Sequence, residues 1–324
     1  MATTNSTIEK IAPMFTELLI KKIECLKTDW QKPWITSLEQ GLPRNIRGTL
    51  YNGGNVLMLL FYTEFMKFTL PVFLTFNQAK EEDLSVSKGA RSFPVYYWFK
   101  FVVHKETKKT IKYEEYRKLP ATEQENYKVI PQMKYYNVFN IDQTDFAGKY
   151  PERYERMKKG EQPEDYSDRM IYEALDELVY LQNWYCPIKV QYSDSAYYSP
   201  SSDHIVCPQR EQFPQGAEYY GTLLHEMAHS TGSPQRLNRT FGCFFGDALY
   251  AREELVAELT AALCGAFFGY ATVPQENNAA YLKHWLTKLR EEPAFLVEIL
   301  GDVNKAAKMI ADKVTEPVNE PAAA

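Results

Sequence analysis

Two histidines and a glutamate in the C-terminal half of the chain have the spacing of a metal site. His225 and His229 enclose Glu226 in the run His-Glu-Met-Ala-His. On a helix, residues four positions apart face the same way, so both imidazoles can direct a ring nitrogen at one ion. Glu226 then lies beside the ion, where a carboxylate can take a proton from an attacking water molecule. The motif predicts a metal-dependent hydrolytic site with Glu226 as general base.

The alternative is a pair of surface or capping histidines on an amphipathic helix. The neighbouring residues argue against it, because Leu223, Leu224, Met227 and Ala228 make this an otherwise apolar helix. A buried helix rarely places two imidazoles and a carboxylate together without a partner for them. We therefore favour the metal site.

A catalytic zinc ion needs a third protein ligand and one open position. Gly232 fits the extended pattern in which a third histidine follows, but Gln235 stands where that histidine would be. The third ligand is therefore expected to be a glutamate on a following helix. The segment 251–259 offers three candidates, which are Glu253, Glu254 and Glu258.

Helical spacing separates these three carboxylates. Glu254 and Glu258 share one helix face, whereas Glu253 points elsewhere. We assign Glu254 as the ligand and Glu258 as an acceptor that orients a histidine N–H; Glu258 as the ligand remains the alternative. The expected metal is Zn²⁺, and another divalent ion such as Mn²⁺ is possible.

A short strand is expected just before the metal helix, at 204–207 within the run 197–208. Such a strand could form the lip of a cleft and pair with an extended peptide. His204 could reach the cleft, although a lone histidine at the start of a strand is more often structural.

Aromatic and basic residues alternate in the N-terminal half. A basic groove with aromatic faces binds single-stranded nucleic acid, because bases stack on the rings. The competing interpretation is that most of these aromatic side chains fill a small core. The candidate DNA-binding residues are Trp30, Trp34, Arg44, Arg47, Tyr51, Lys88, Arg91 and Trp98.

Charge is distributed unevenly along the 324 residues. Residues 1–140 hold 20 basic and 14 acidic residues, whereas the remainder holds 17 and 28. This asymmetry suggests two parts with different partners. No apolar stretch is long enough to span a bilayer, no secretion signal is visible, and the five scattered cysteines fit a reducing cytoplasm. We therefore expect a cytoplasmic protein without a membrane partner.

The periodicity of apolar residues predicts an α+β fold in two domains. An N-terminal α+β domain is expected at 1–145, a polar linker at 146–165, a mostly helical domain with a small sheet at 166–314 and a disordered tail at 315–324. Helices are expected near 8–26, 55–68, 167–183, 215–229, 247–269, 276–290 and 293–313. Strands are expected at 72–76, 93–103, 134–141, 188–193 and 204–207.

The sequence resembles the ArdC-like antirestriction proteins of plasmids and other mobile elements. The C-terminal resemblance lies in Asp203-His-Ile, the run from Tyr219 to Gly232, Arg236-Leu-Asn-Arg239 and the run from Tyr250 to Leu259. The N-terminal resemblance is looser and lies in Trp30-Gln-Lys-Pro-Trp34, Pro43-Arg-Asn45, Tyr51-Asn-Gly-Gly-Asn55, Lys88-Gly89 and Val95-Tyr-Tyr-Trp98.

The resemblance implies a zincin-like metallopeptidase domain behind a single-stranded-DNA-binding domain. It implies His225, His229 and Glu254 as metal ligands and Glu226 as general base. It also implies protection of incoming DNA from restriction during conjugation, by coating the transferred strand. The expected partners are single-stranded DNA and an unidentified protein or peptide substrate.

Two functions remain open. The first is a metal-dependent peptidase joined to a DNA-binding module. The second is a non-enzymatic protein that coats single strands and uses its metal for structure or regulation. Glu226 favours the first, because a purely structural metal site has no need of a base beside the ion.

Overall fold

The computed structural model describes residues 4–28, 32–36, 38–159, 166, 168–242, 248–274 and 281–315. Their helices are α1 (Thr4–Thr28), α2 (Gly54–Met66), α3 (Phe76–Glu81), α4 (Tyr113–Tyr116), α5 (Ala121–Gln124), α6 (Phe146–Lys149), α7 (Pro151–Lys158), α8 (Glu173–Tyr180), α9 (Gly216–Thr231), α10 (Ala248–Phe268), α11 (Leu282–Glu291) and α12 (Ala294–Thr315). Their strands are β1 (Arg44–Asn45), β2 (Val72–Leu74), β3 (Phe93–His104), β4 (Thr110–Ile111), β5 (Tyr127–Asn140), β6 (Ile188–Gln191), β7 (Tyr197–Ser199) and β8 (His204–Pro208).

The N-terminal sheet has the order β1-β2-β5-β3-β4. Its main component is the long antiparallel pair of β3 and β5, in which Phe93 lies opposite Val138 and His104 lies opposite Tyr127. Helices α1 and α2 cover the apolar end of this pair. The Thr7 hydroxyl of α1 donates to the Met133 carbonyl at 3.1 Å, which fixes the helix on the sheet.

The C-terminal sheet has the order β6-β8-β7, with β8 parallel to β6 and antiparallel to β7. Helix α9 lies beside β8, and α10 packs along α9 and α12. Both α9 and α10 are buried over most of their length, which explains why their apolar residues surround the helix instead of forming one stripe.

One hydrophobic core joins the two halves of the chain. Helix α1 packs against α11 and α12, and its Ile11, Phe15 and Leu19 belong to the same buried cluster as Leu255 of α10. The α+β class predicted from the sequence is confirmed, with most strands in the first half and the long helices of the second half around a small sheet. No helix among the described residues has the length and apolar character needed to cross a membrane.

The segment predicted as a linker is structured over its described part. Residues 146–158 form α6 and α7, and Phe146 and Tyr154 pack into a second apolar cluster with Val72 and Leu74 of β2. The described part of the predicted linker is therefore helical and anchored by its aromatic residues. Residues 160–165, and the predicted tail except Thr315, lie outside the described residues.

Candidate metal centre

Helix α9 holds His225 and His229 one turn apart in the interior. His225 is buried and His229 is half-buried. Their Nε2 atoms face each other at 3.1 Å, and their ring planes are nearly perpendicular at 80°. Because both rings direct Nε2 toward the same point, one cation can bind both nitrogens there.

Helix α10 brings the Glu254 carboxylate to the same spot. Its Oε2 lies 3.4 Å from His225 Nε2, and its Oε1 lies 3.6 Å from His229 Nε2. The ligand atoms that the three side chains offer all lie within 4.8 Å of one another. Two imidazole nitrogens and one carboxylate oxygen form a donor set that suits Zn²⁺ with an open fourth position. These residues therefore fit a divalent metal.

The three side chains perturb one another strongly. Burial alone would lower the pKa of His229, but the facing Glu254 and Glu253 carboxylates raise it well above the usual value. Burial would raise the pKa of Glu254, but His229 and His225 hold it below its usual range. The carboxylate is therefore ionised and ready to bind a cation.

Glu226 lies next to His225 in α9 and is 7% exposed. Burial raises the pKa of its carboxyl, and this effect exceeds the opposing effect of His225 and His229. A carboxylate with a raised pKa is a stronger base, which is the property that a proton acceptor beside a metal requires.

Glu258 lies one turn after Glu254, on the other side of His225. Its Oε1 is 3.8 Å from His225 Nδ1, which is too long for a hydrogen bond. Its Oε2 accepts a hydrogen bond from the indole N–H of Trp34 at 2.7 Å. Glu258 therefore lies on the Nδ1 side of the His225 ring, whereas Glu254 lies on the Nε2 side.

Glu253 contacts the site, whereas helix geometry alone predicted that it points elsewhere. Its Oε1 lies 3.3 Å from His229 Nδ1, whereas Glu254 approaches the other ring nitrogen, Nε2. Arg239 holds this carboxylate with two hydrogen bonds, at 2.6 and 2.9 Å. Glu253 is thus outside the group of proposed ligands, but its contact with His229 Nδ1 could not be predicted from α10 alone, because it depends on how α9 packs alongside.

Strand β7 lies at one edge of the small sheet, beside α9. The sequence predicted that the strand at 204–207 would form the lip of the cleft, but that strand, β8, is central among the described strands. The described edge strand beside α9 is β7, which the sequence did not predict. Arg236 anchors β7, since its guanidinium bonds Asp203 and the hydroxyl of Tyr198.

His204 has local partners. Its Nδ1 lies 2.9 Å from the Ser202 hydroxyl, and its ring packs edge-on against Tyr197. These contacts stabilise the turn between β7 and β8, in agreement with a structural role.

The candidate DNA-binding residues fall into three groups. The prediction that Trp34 contacts DNA is wrong, because its side chain is fully buried and no base can stack on it. Arg44 and Tyr51 are half-buried, whereas the exposed residues are Arg47, Lys88, Arg91 and Trp98. Trp30 lies outside the described residues.

The structure adds an aromatic surface beyond the predicted DNA-binding residues. Tyr97 and Tyr136, both exposed, lie side by side on β3 and β5 with ring centroids 6.0 Å apart. Phe99 follows at 6.2 Å from Tyr97, and the Lys134 ammonium lies 4.5 Å from the centre of the Phe99 ring. We call these four residues the aromatic face. The alternation of residues along β3 was the signal that could have identified it.

Comparison with known proteins places this geometry in a family. Residues 9–139 match the N-terminal domain of anti-restriction factor ArdC, and residues 173–299 match a zincin-like metallopeptidase domain. The crystal structure of the metal-free antirestriction protein ArdC from plasmid R388 superposes with a TM-score of 0.67 at 28% identity, over 95% of this chain and 99% of the other. The chain belongs to the ArdC-like antirestriction proteins.

Other relatives of this ArdC-like protein extend the comparison. The Mn(II)-bound structure of the R388 protein has a TM-score of 0.65 at 27% identity, over 94% of this chain and 98% of the other. The DNA primase TraC of Escherichia coli is 29% identical over 94% of this chain. The chain spans only 28% of that relative's length. The y4eC protein of Sinorhizobium fredii is 27% identical over 89% of this chain and 87% of its own length.

Proposed function

We propose that this ArdC-like protein binds single-stranded DNA through its N-terminal half and hydrolyses peptide bonds at a metal centre in its C-terminal half. The observation that carries the enzymatic part is the convergence of His225, His229 and Glu254 beside the buried Glu226. A structural site would use a fourth protein ligand in place of an adjacent base.

Each residue of the site has a role in this proposal. His225, His229 and Glu254 would hold Zn²⁺ or Mn²⁺, and the bound ion would supply Lewis-acid polarisation of a carbonyl group. Glu226 accepts a proton from the attacking water and passes it to the leaving amine. The edge of β7 offers backbone groups with which an extended peptide can pair.

The DNA-binding part of the proposal rests on the aromatic face and the basic residues around it. Tyr97, Phe99 and Tyr136 present neighbouring rings on a sheet surface, and stacking on such rings is tolerant of sequence. The exposed Lys88 and Arg91 precede β3 and can contact phosphates. A strand of DNA lying across β3 and β5 would meet both groups.

The decisive variant is Glu226→Gln, which removes the base and leaves the three proposed ligands in place. We expect peptidase activity on a casein-type substrate to fall by about 10²–10⁴-fold, while bound metal stays stoichiometric. The matched control is Glu218→Gln, the same change at the start of the same helix.

The same variants separate the two functions in cells. If hydrolysis is the biological activity, protection of incoming DNA from restriction is lost with Glu226→Gln and kept with Glu218→Gln. Full protection by Glu226→Gln would show that protection does not require hydrolysis and would leave strand coating as the protective function.

A further inference from the structure

Trp34 precedes α2 in the N-terminal half of the chain, yet its side chain lies against the metal centre. Its indole is fully buried, and Nε1 donates to Glu258 Oε2 at 2.7 Å. Its backbone N–H donates to the Thr272 carbonyl, after α10, at 3.1 Å. Its ring packs against Phe61 of α2 at 6.3 Å. The residue is therefore held by both halves of the chain.

The other oxygen of Glu258 faces a histidine nitrogen that needs an acceptor. Glu258 Oε1 lies 3.8 Å from His225 Nδ1, and that nitrogen is buried with no hydrogen-bond partner among the described residues. A histidine that binds a metal through Nε2 carries its proton on Nδ1, and this N–H normally donates to a carboxylate or carbonyl. A shift of about 1 Å would bring the pair to hydrogen-bond distance.

We propose that Trp34 is a positioning residue for the metal centre: its indole N–H holds the Glu258 carboxylate in the orientation that receives His225 Nδ1–H. The inference rests on the metal site of the proposed function. It goes beyond that site, because it makes the N-terminal half of the chain a component of the metal centre.

The geometry supports this role over one of packing alone. A carboxylate with only 2% of its residue surface exposed must have its orientation fixed by donors. With Oε2 bound to the indole, rotation that would turn Oε1 away from His225 breaks a buried hydrogen bond. Phenylalanine at position 34 would fill most of the same space but offer no donor.

The test compares Trp34→Phe with Trp285→Phe in the full chain. Trp285 is equally buried and its indole also donates into α10, but to the Ala251 carbonyl at 2.6 Å and not to a carboxylate of the site. Zn²⁺ affinity is measured by competition with a chromophoric chelator, and Co²⁺ is used as a spectroscopic probe of the ligand geometry. Metal-free thermal unfolding of both variants reports the effect on packing.

Removing a group that hydrogen-bonds to a metal ligand typically weakens metal binding by about 10–100-fold. We expect Trp34→Phe to weaken Zn²⁺ binding by about tenfold, at the lower end of that range, and to change the visible Co²⁺ spectrum. Trp285→Phe should change thermal stability but neither metal readout. Affinity within twofold of wild type together with an unchanged Co²⁺ spectrum in Trp34→Phe would overturn the inference.

A second variant keeps the test decisive should Trp34→Phe fold poorly. Glu258→Gln still accepts from the indole but turns an amide N–H₂ toward His225, so it should weaken Zn²⁺ binding by at least as much. In the double variant the two losses should not add, because both act through one carboxylate. Additive losses, or full affinity in Glu258→Gln, contradict the inference.

Failure of the metal site itself is recognised separately. Glu254→Ala removes a proposed ligand and should abolish Zn²⁺ binding. If Glu254→Ala binds Zn²⁺ as wild type does, the proposed site is wrong. If Glu254→Ala loses the metal and Trp34→Phe does not, only the role of Trp34 is wrong.

Discussion

Neighbouring carboxylates on α10 approach different nitrogens of one imidazole. Glu254 faces His229 Nε2, and Glu253 faces His229 Nδ1. Helical spacing and the missing third histidine predicted the grouping of His225 and His229 with a glutamate of the later helix, and the structure brings Glu254, not the alternative Glu258, to the two Nε2 atoms. The sequence did not predict the use of Glu253, which depends on Arg239 from the turn after α9 and on how two helices pack.

The first residue-scale prediction concerns the Arg239–Glu253 pair. Both side chains are at most 4% exposed, and Arg239→Met would leave a buried carboxylate with one fewer positive partner. We expect a loss of about 3–5 kcal/mol in the free energy of unfolding, measured by urea titration of the metal-free protein.

The control is Arg290→Met, whose ion pair with Glu24 is half-exposed on both sides. It should cost no more than about 1 kcal/mol. Equal losses in the two variants would show that Arg239 does not compensate the buried charge.

The second residue-scale prediction concerns pH. The pKa of His229 is raised well above its usual value by Glu254 and Glu253, so its imidazole is protonated in the metal-free protein near neutral pH. A metal ion must displace that proton, so affinity should rise with pH until the folded-state pKa of His229 is passed and then level off.

Calorimetric titration of Zn²⁺ in two buffers of different ionisation enthalpy counts the protons released. We expect release at about pH 7 and less release as pH rises. Proton uptake on binding, or an affinity independent of pH, would contradict this assignment.

At the scale of elements, regular helices were predicted well and the sheets less well. The helices α1, α9 and α10 lie close to their predicted ranges because their apolar residues recur at helical spacing. Strand β5 is longer than predicted because Pro131 argues against a strand. The proline is tolerated because, among the strands that the structure describes, only β3 pairs with β5 at that position, so no strand on the other side needs the missing N–H.

Strand β7 was missed because three residues carry too little periodicity to identify a strand. Its existence depends on pairing with β8, which brings Tyr198 opposite Ile205. The metal helices could thus be predicted from local pattern, whereas the sheet edge beside them depends on contacts between segments.

The element-scale prediction concerns the aromatic face of β3 and β5. Tyr97→Ala should weaken binding of an oligothymidylate by about 1–3 kcal/mol, because one stacking platform is lost. Fluorescence anisotropy of a labelled oligonucleotide measures the change. Tyr180→Ala is the control, since Tyr180 is 86% exposed on α8, outside this sheet. An effect of equal size in both variants would exclude a specific role for the aromatic face.

At the scale of the whole molecule, the continuous core argues against two independent folding units. Residues of α1 and residues of α10 and α12 belong to one buried cluster. We expect a single unfolding transition in urea, with far-ultraviolet circular dichroism and tryptophan fluorescence giving the same midpoint. Two separated transitions would show that the N-terminal and C-terminal halves unfold independently despite this contact.

The packing of α1 on α12 has a consequence for synthesis of the protein. The helix at residues 4–28 leaves the ribosome well before its partner at residues 294–315, which is translated some 270 residues later. Until then the part of α1 that packs against α11 and α12 stays uncovered, although Phe15 can already stack on Phe93 of β3. Uncovered apolar surface of this kind is what chaperones bind. Efficient production of this protein should therefore depend on chaperone supply more than that of a protein in which every helix packs only against segments close to it in sequence.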